Sequence, residues 1–235
     1  MAKRVKKKRK PTQKKRLHGW PWRFALWALA AVAVISFVLT VPWRWLPPPT
    51  SAFMLQHRGP VQQRWVPMEK ISPSLAIAVV AGEDQRFPLH HGFDFDAISK
   101  ALREDRAKLR GASTITQQLA KNLYLWPGRS FVRKGLEAYF SVLLELTWPK
   151  QRILEVYLNV VEFGPGIFGA EAASQAFFNR SARQISTGQA ALLAAVLPNP
   201  KRYSARRPSE YVRQRATFIS QQIKALGGPG YLLWL

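Results

Sequence analysis

Twenty consecutive residues without a charge, Phe24 to Trp43 (FALWALAAVAVISFVLTVPW), constrain this chain more than any other feature. Only Ser36 and Thr40 in that run are notably polar. As a helix rising about 1.5 Å per residue it reaches about 30 Å, the thickness of a bilayer's hydrocarbon. Trp20, Trp22 and Trp27 stand towards one end and Trp43 and Trp45 at the other, as interfacial aromatic belts do, and Arg23 and Arg44 bracket the run. A cleaved signal sequence has a shorter apolar core, about 7–15 residues, with its cleavage site directly after it. Here the run is longer and Leu46-Pro47-Pro48-Pro49 follows it. The expectation is an uncleaved anchor over residues 24–45.

Residues 1–23 hold 11 Lys/Arg and no acid. Alone, such a run reads as a solvated tail or as an arm that neutralises nucleic-acid phosphates. Beside a membrane span it reads as a topology signal. The positive-inside rule keeps it in the cytoplasm, against anionic lipid, and sends everything after residue 45 across the membrane. That exported part has 24 basic residues against 13 acidic ones, a net +11. A basic domain held at a membrane suits an anionic, membrane-bound partner. The absence of cysteine excludes a disulfide framework, a thiol nucleophile and any cysteine-ligated metal. The four histidines, His18, His57, His90 and His91, lack HExxH-type spacing, so no dedicated transition-metal site is expected.

The organisation expected is a basic cytoplasmic tail (1–23), the anchor (24–45), a Pro-rich linker that begins a membrane-proximal region (46–72), and a single catalytic domain (73–235). From Ser72 onward the periodicity is helical. Residues 74–82 are apolar nearly all round and read as a buried helix. Residues 94–109 follow Asp94 as N-cap. Residues 113–125 follow Ser113 as cap and bury Ile115, Leu119 and Leu123, leaving Thr114, Gln117, Gln118 and Lys121 on a polar face. Further helices are expected over 131–147, 150–162, 168–178 and 187–197. The last has Ser186 and Gln189 at capping-box spacing and Pro198 as its stop. Gly164-Pro165-Gly166 is a turn, and no strand-like alternation follows residue 73. The class is mainly α.

Several polar clusters interrupt this pattern. Glu83 emerges from the wall of a buried helix, where desolvation raises a carboxyl pKa, although a solvated helix end fits the same residues. Gly111 to Asn122 forms a Gly- and hydroxyl-rich entry to a helix N-terminus, which suits an anion or merely caps the helix. Arg129 precedes Arg133, Lys134 and Glu137, with Arg133 and Glu137 spaced as an i,i+4 ion pair. In 150–159, Glu155 and Asn159 read as internal hydrogen-bonders of a packing helix, and 190–200 reads as core ending in a helix stop.

In their order and spacing, EDQRFPLHHGFD, GASTITQQLAKN, RKGLE and KQRILEVYLN resemble the signature motifs of the peptidoglycan glycosyltransferases, the lysozyme-like enzymes that polymerise lipid II. The resemblance covers roughly residues 60–225. YLNVVEFGPGIFGAEAA, LLAAVLPNPKRY and a chain end that leaves no room for a penicillin-binding domain point to the monofunctional biosynthetic members. One departure is Gly111-Ala112, where many members have Gly-Gly.

The resemblance implies a mainly α, lysozyme-like helical glycosyltransferase domain with a membrane-proximal jaw, preceded by one transmembrane helix. It places that domain on the periplasmic side of the inner membrane. It implies attack by an acceptor GlcNAc 4-hydroxyl on the anomeric carbon of the donor MurNAc, with inversion and release of undecaprenyl pyrophosphate. By resemblance Glu83 is the base and Glu137 the second catalytic carboxylate. Asp84, Ser113, Thr114, Gln118, Lys121, Asn122, Arg129, Arg133 and Lys134 bind substrate or support those that do. A Mg²⁺ or Mn²⁺ ion at the donor pyrophosphate is compatible with this chemistry, with no all-protein metal site visible. The partners implied are lipid II, the growing lipid-linked strand, the membrane, and cell-wall synthesis or division proteins, with no nucleic acid. Trp65 and the apolar residues of 50–70 are expected to dip into lipid as the jaw. Two other readings stand beside this one. A lytic transglycosylase or muramidase shares the fold and the paired carboxylates, but cutting finished strands gives no use to the cations Lys121, Arg129, Arg133 and Lys134. A basic scaffold or nucleic-acid protein explains the tail and leaves the motifs without a role.

Overall fold

A computed structural model describes residues 20–103, 113–128, 130–233 and 235. The chain divides into two compact units, Met1–Leu39 and Thr40–Leu235. In the first, the helix α1 (Trp20–Thr40) exposes Trp27, Leu29, Val34, Ile35 and Val38, so it is apolar on the outside as well. Trp22–Arg44 is long and apolar enough to cross a membrane, and such a surface is stable in lipid, not in water.

The second unit is helical, as its periodicity predicts. Its core is built by α3 (Pro73–Glu83), α9 (Thr187–Val196) and α10 (Glu210–Ala225) on one side, and by α5 (Ile115–Tyr124), α6 (Phe131–Thr147) and α7 (Lys150–Val160) on the other. The two short helices α2 (Ala52–Leu55) and α4 (Phe95–Arg103) and the helix α8 (Ala170–Phe178) complete it. α3 starts with Pro at its first turn, where the missing N–H costs nothing. Leu75 to Ala81 are all buried, because α9 and α10 cover it. Gly82 permits the tightest part of this packing. A Cβ there would lie 3.1 Å from Ile219 Cδ1 of α10 and 3.9 Å from Ala194 Cβ of α9.

Three local expectations are revised. The N-cap of α5 is Thr114, not Ser113: the Thr114 hydroxyl accepts from Gln117 N–H and the Gln117 side chain returns to Thr114 N–H, a capping box. Gln117 is therefore buried in the cap and absent from the polar face. Strand does occur after residue 73, as β2 (Glu162–Gly164) and β3 (Ile167–Phe168), joined by a turn through Pro165 and Gly166. β1 (Gln62–Gln63) pairs parallel with β3, giving the order β1-β3-β2. These strands have two or three residues each, too short for alternation to register. Residues 46–72 do not behave as a free linker either. Asn159, fully buried on α7, accepts from Val66 N–H at 2.9 Å and donates to Val66 O and Glu155 O, each at 2.9 Å.

The start of this unit is tied to α6 and α7. Trp148 Nε1 donates to Thr40 O (2.9 Å), Arg44 to Thr147 O (2.6 Å), and Arg152 to Trp43 O (3.0 Å) and Leu46 O (2.6 Å). The Arg152 guanidinium also covers the Trp65 ring at 5.2 Å. Trp65 is thus a half-buried platform packed on the core, not a ring free to enter lipid. Large exposed apolar side chains include Leu55 within the 50–70 region and a set on α6, where Val132, Leu136, Val142 and Leu146 share one face, with Phe131 at its start.

Candidate functional site

Glu83 is the last residue of α3. Its Oε2 accepts from Gln118 Nε2 of α5 at 2.9 Å and its Oε1 from Arg215 of α10 at 3.2 Å. The carboxylate therefore joins the two halves of the core. Burial pushes its pKa above the ordinary carboxylate value, outweighing the Gln118 hydrogen bond, the Arg215 charge and hydrogen bond, and the Lys121 charge, which all act in the opposite direction. Beside it is a cavity of about 310 Å³ lined by Gly82, Glu83, Gln85, Arg86, Ser113 and Phe218, among others.

The Gln118 amide is oriented from behind. Tyr157 of α7, fully buried, donates its hydroxyl to Gln118 Oε1 at 2.8 Å, which turns Nε2 towards Glu83. Burial, then the nearby carboxylates Glu83 and Asp84, holds Tyr157 well above its usual pKa, so it stays a donor. One turn along α5, Lys121 lies over the Phe53 ring at 5.6 Å. Burial lowers the Lys121 pKa; attraction from Glu137 and Glu83 opposes this, while Arg133 and Lys134 add to it.

That second carboxylate sits at the centre of α6. Glu137 is buried, its Oε2 accepts from Arg133 at 2.8 Å, and its Oε1 pairs with Lys134. Ser130 caps this helix by accepting from Arg133 N–H at 3.1 Å. Arg133 and Lys134 are thus fixed on one buried anion, and Lys121 lies within electrostatic reach of both Glu137 and Glu83.

The other expected site residues fall differently. Asp84 is buried with both oxygens engaged: Oδ1 pairs with His90 Nε2 at 2.9 Å and Oδ2 accepts from Ile115 N–H at 2.9 Å. It holds the turn after α3 to the N-terminus of α5, where a negative charge is also favoured by the helix dipole. Thr114 is buried and donates to Gly92 O at 2.7 Å, tying the same loop. Ser113 is exposed on the cavity rim and Asn122 is buried on α5. Arg129, Gly111 and Ala112 lie outside the described residues. Sequence reasoning missed Arg215 and Tyr157. Tyr157 reads as one more core residue of α7. Arg215 stands beside the buried stripe Val212, Ala216, Ile219 and Ile223 of α10, and that flanking position is the only signal it gives.

A divalent cation needs oxygen ligands that are not already spoken for. Among the described residues no three His, Asp or Glu side chains converge. All four carboxylate oxygens of Glu83 and Glu137 accept from amide, amine or guanidinium donors. Among the described residues this donor set does not fit a Mg²⁺ or Mn²⁺ ion held by the protein alone.

A family model described as Transglycosylase matches residues 51–224. The chain is 51% identical over 226 residues to the biosynthetic peptidoglycan transglycosylase of Xanthomonas euvesicatoria, covering 89% of this chain and 91% of that protein. It is 50% identical to the protein of the same name from Pseudomonas aeruginosa, over 91% of this chain and 95% of that one. With the Shewanella frigidimarina protein, also so named, it shares 52% identity over 94% and 96%.

Proposed function

The chain belongs to the peptidoglycan transglycosylase family and is a glycosyltransferase of cell-wall biosynthesis, and from that premise we propose how its residues divide the reaction. The substrates are lipid II and the growing glycan strand. Glu83 accepts the proton of the acceptor GlcNAc 4-hydroxyl as that oxygen attacks C1 of the donor MurNAc. A sugar hydroxyl is a weak nucleophile at neutral pH, so a carboxylate with a raised pKa lowers the barrier by taking the proton in the transition state. The C1–O bond to pyrophosphate breaks on the opposite face, and the configuration inverts from α to β.

Undecaprenyl pyrophosphate departs as an anion and needs positive charge more than a proton. Lys121, Arg133 and Lys134 supply it. Glu137 fixes the positions of Arg133 and Lys134 and thus acts through them. Gln118 orients Glu83, Ser113 lies where a sugar hydroxyl can be met, and Asn122 and Arg129 complete the donor side by resemblance. Asp84 and Thr114 keep the loop and the α5 terminus in register.

The membrane arrangement follows the same logic. The span Trp22–Arg44 anchors the chain in the inner membrane, the basic tail stays in the cytoplasm, and the catalytic unit lies on the periplasmic side. The exposed apolar face of α6 supports a membrane-contacting role for that helix, near lipid-tethered substrates. The observation that carries the reading is the position of Glu83, a buried carboxylate with a raised pKa within electrostatic reach of Lys121, which also feels the Glu137 carboxylate that holds Arg133 and Lys134. Purified full chain in detergent should polymerise lipid II and leave finished sacculi uncut, and Glu83→Gln should abolish polymerisation. Sacculus cutting without polymerisation would establish the muramidase reading instead.

A further inference from the structure

We propose that Arg215 of α10 is the positioning residue of the Glu83 carboxylate, holding Oε1 while Gln118 holds Oε2, so that the base presents a single rotamer to the acceptor hydroxyl. The inference rests on Glu83 being the base. Arg215 belongs to none of the four motif segments, and its helix comes at the far end of the sequence.

The packing explains how a residue 132 positions away reaches the carboxylate. Gly82 lets Ile219 approach α3 to van der Waals contact. Arg215 is one turn before Ile219 on the same helix, so the same close approach delivers its guanidinium to the end of α3. There one nitrogen, Nη2, donates both to Gly82 O and to Glu83 Oε1, each at 3.2 Å. Arg215 thus bonds the backbone just before the base and the base itself. An always-charged guanidinium at the end of a long side chain suits this double duty, and a flexible ammonium on a shorter reach does not replace it fully.

The opposite oxygen is held by a chain of equal order, Tyr157 to Gln118 to Glu83. The groups facing the carboxylate are Gln118 and Lys121 from α5, Tyr157 from α7 through Gln118, Arg215 from α10, and Asp84, which is engaged by His90 and Ile115 N–H. Of these, Arg215 is the one cation bonded directly to the base. Its loss leaves burial less opposed, so Glu83 holds its proton to higher pH. Since only the deprotonated base is active, the acid limb of the rate profile must then move up, not down.

The test is the pH dependence of kcat and KM for lipid II polymerisation by the full chain, with wild type, Arg215→Met and Arg215→Lys. Arg215→Met should move the acid limb of kcat/KM upward by about one pH unit or more, the scale of a charge-assisted hydrogen bond. It should lower kcat more than it raises KM. Arg215→Lys should lie between the two. An Arg215→Met limb that coincides with wild type overturns the proposal, as does an Arg215→Lys enzyme no closer to wild type than Arg215→Met at equal Tm. If Arg215→Met does not fold, Arg215→Gln carries the same expectation. Glu83→Gln in the same assay separates the two readings: activity there would refute the base itself, whereas an inactive Glu83→Gln with an unmoved Arg215→Met limb refutes only the positioning role.

Discussion

Glu83 and Glu137 are both carboxylates withdrawn from water, yet their surroundings prepare them for different work. Glu137 lies mid-helix with a cation on each oxygen, both from its own helix and both within four residues. Glu83 lies at a helix end and is held by groups from two other helices, only one of them charged. A carboxylate with both oxygens engaged by cations serves best as a fixed counter-charge that holds those cations in place. One whose burial outweighs its partners is poised to accept a proton. On the proposed mechanism, similar chemistry is split into a proton acceptor and an organiser of cations, and the difference in packing supports that division.

Replacing each carboxylate in turn should expose the difference. Glu83→Gln should lower kcat by about 10²–10⁴-fold, the usual contribution of a general base, with donor binding largely kept. Glu137→Gln should weaken donor binding by about 10–100-fold through misplaced cations while leaving the acid limb of kcat/KM where it was. A limb that moves in Glu137→Gln would break the division. Asp84→Ala, which strands the Ile115 N–H and His90, should cost about 1–3 kcal/mol of stability, read by urea unfolding.

The remaining expectations are smaller. Because the folded state raises the Glu83 pKa, the native chain binds that proton more tightly than the unfolded one. Stability therefore falls as pH rises from the unfolded carboxyl value through the raised one. At neutral pH Glu83→Gln removes that burden, so its Tm should be higher than wild type, the mark of a side chain kept for function. Removing residues 1–39 spares the Thr40–Leu46 segment that Trp148, Arg44 and Arg152 hold. Such a chain should still bind vesicles weakly, and Val142→Glu with Leu146→Glu should abolish that binding. Unchanged binding would remove α6 from the membrane account.

Most of the helices were legible because their signals are local. The buried run of α3 and the Ile115, Leu119 and Leu123 stripe appear in sequence order, so periodicity finds them. The neighbourhood of Glu83 was legible only in part. Glu83, Gln118, Lys121 and Glu137 lie in recognisable segments, but what fixes Glu83 comes from α7 and α10, where Tyr157 and Arg215 acquire meaning only through tertiary packing. The same applies to Asn159 and Val66, 93 residues apart, which turn a Pro-rich stretch into part of the core. The short strands escaped because two or three residues cannot display a period.

The most direct measurement is the titration of the Glu83 side-chain carboxyl itself, by carbon NMR of the full chain labelled at glutamate, with Glu83→Gln identifying the resonance. A midpoint clearly above 4.5, the value of an unperturbed glutamate, is the result expected of a buried base. A midpoint at or below it would mean that the Arg215 and Gln118 contacts outweigh burial, and that Glu83 is a second counter-charge with no proton to accept.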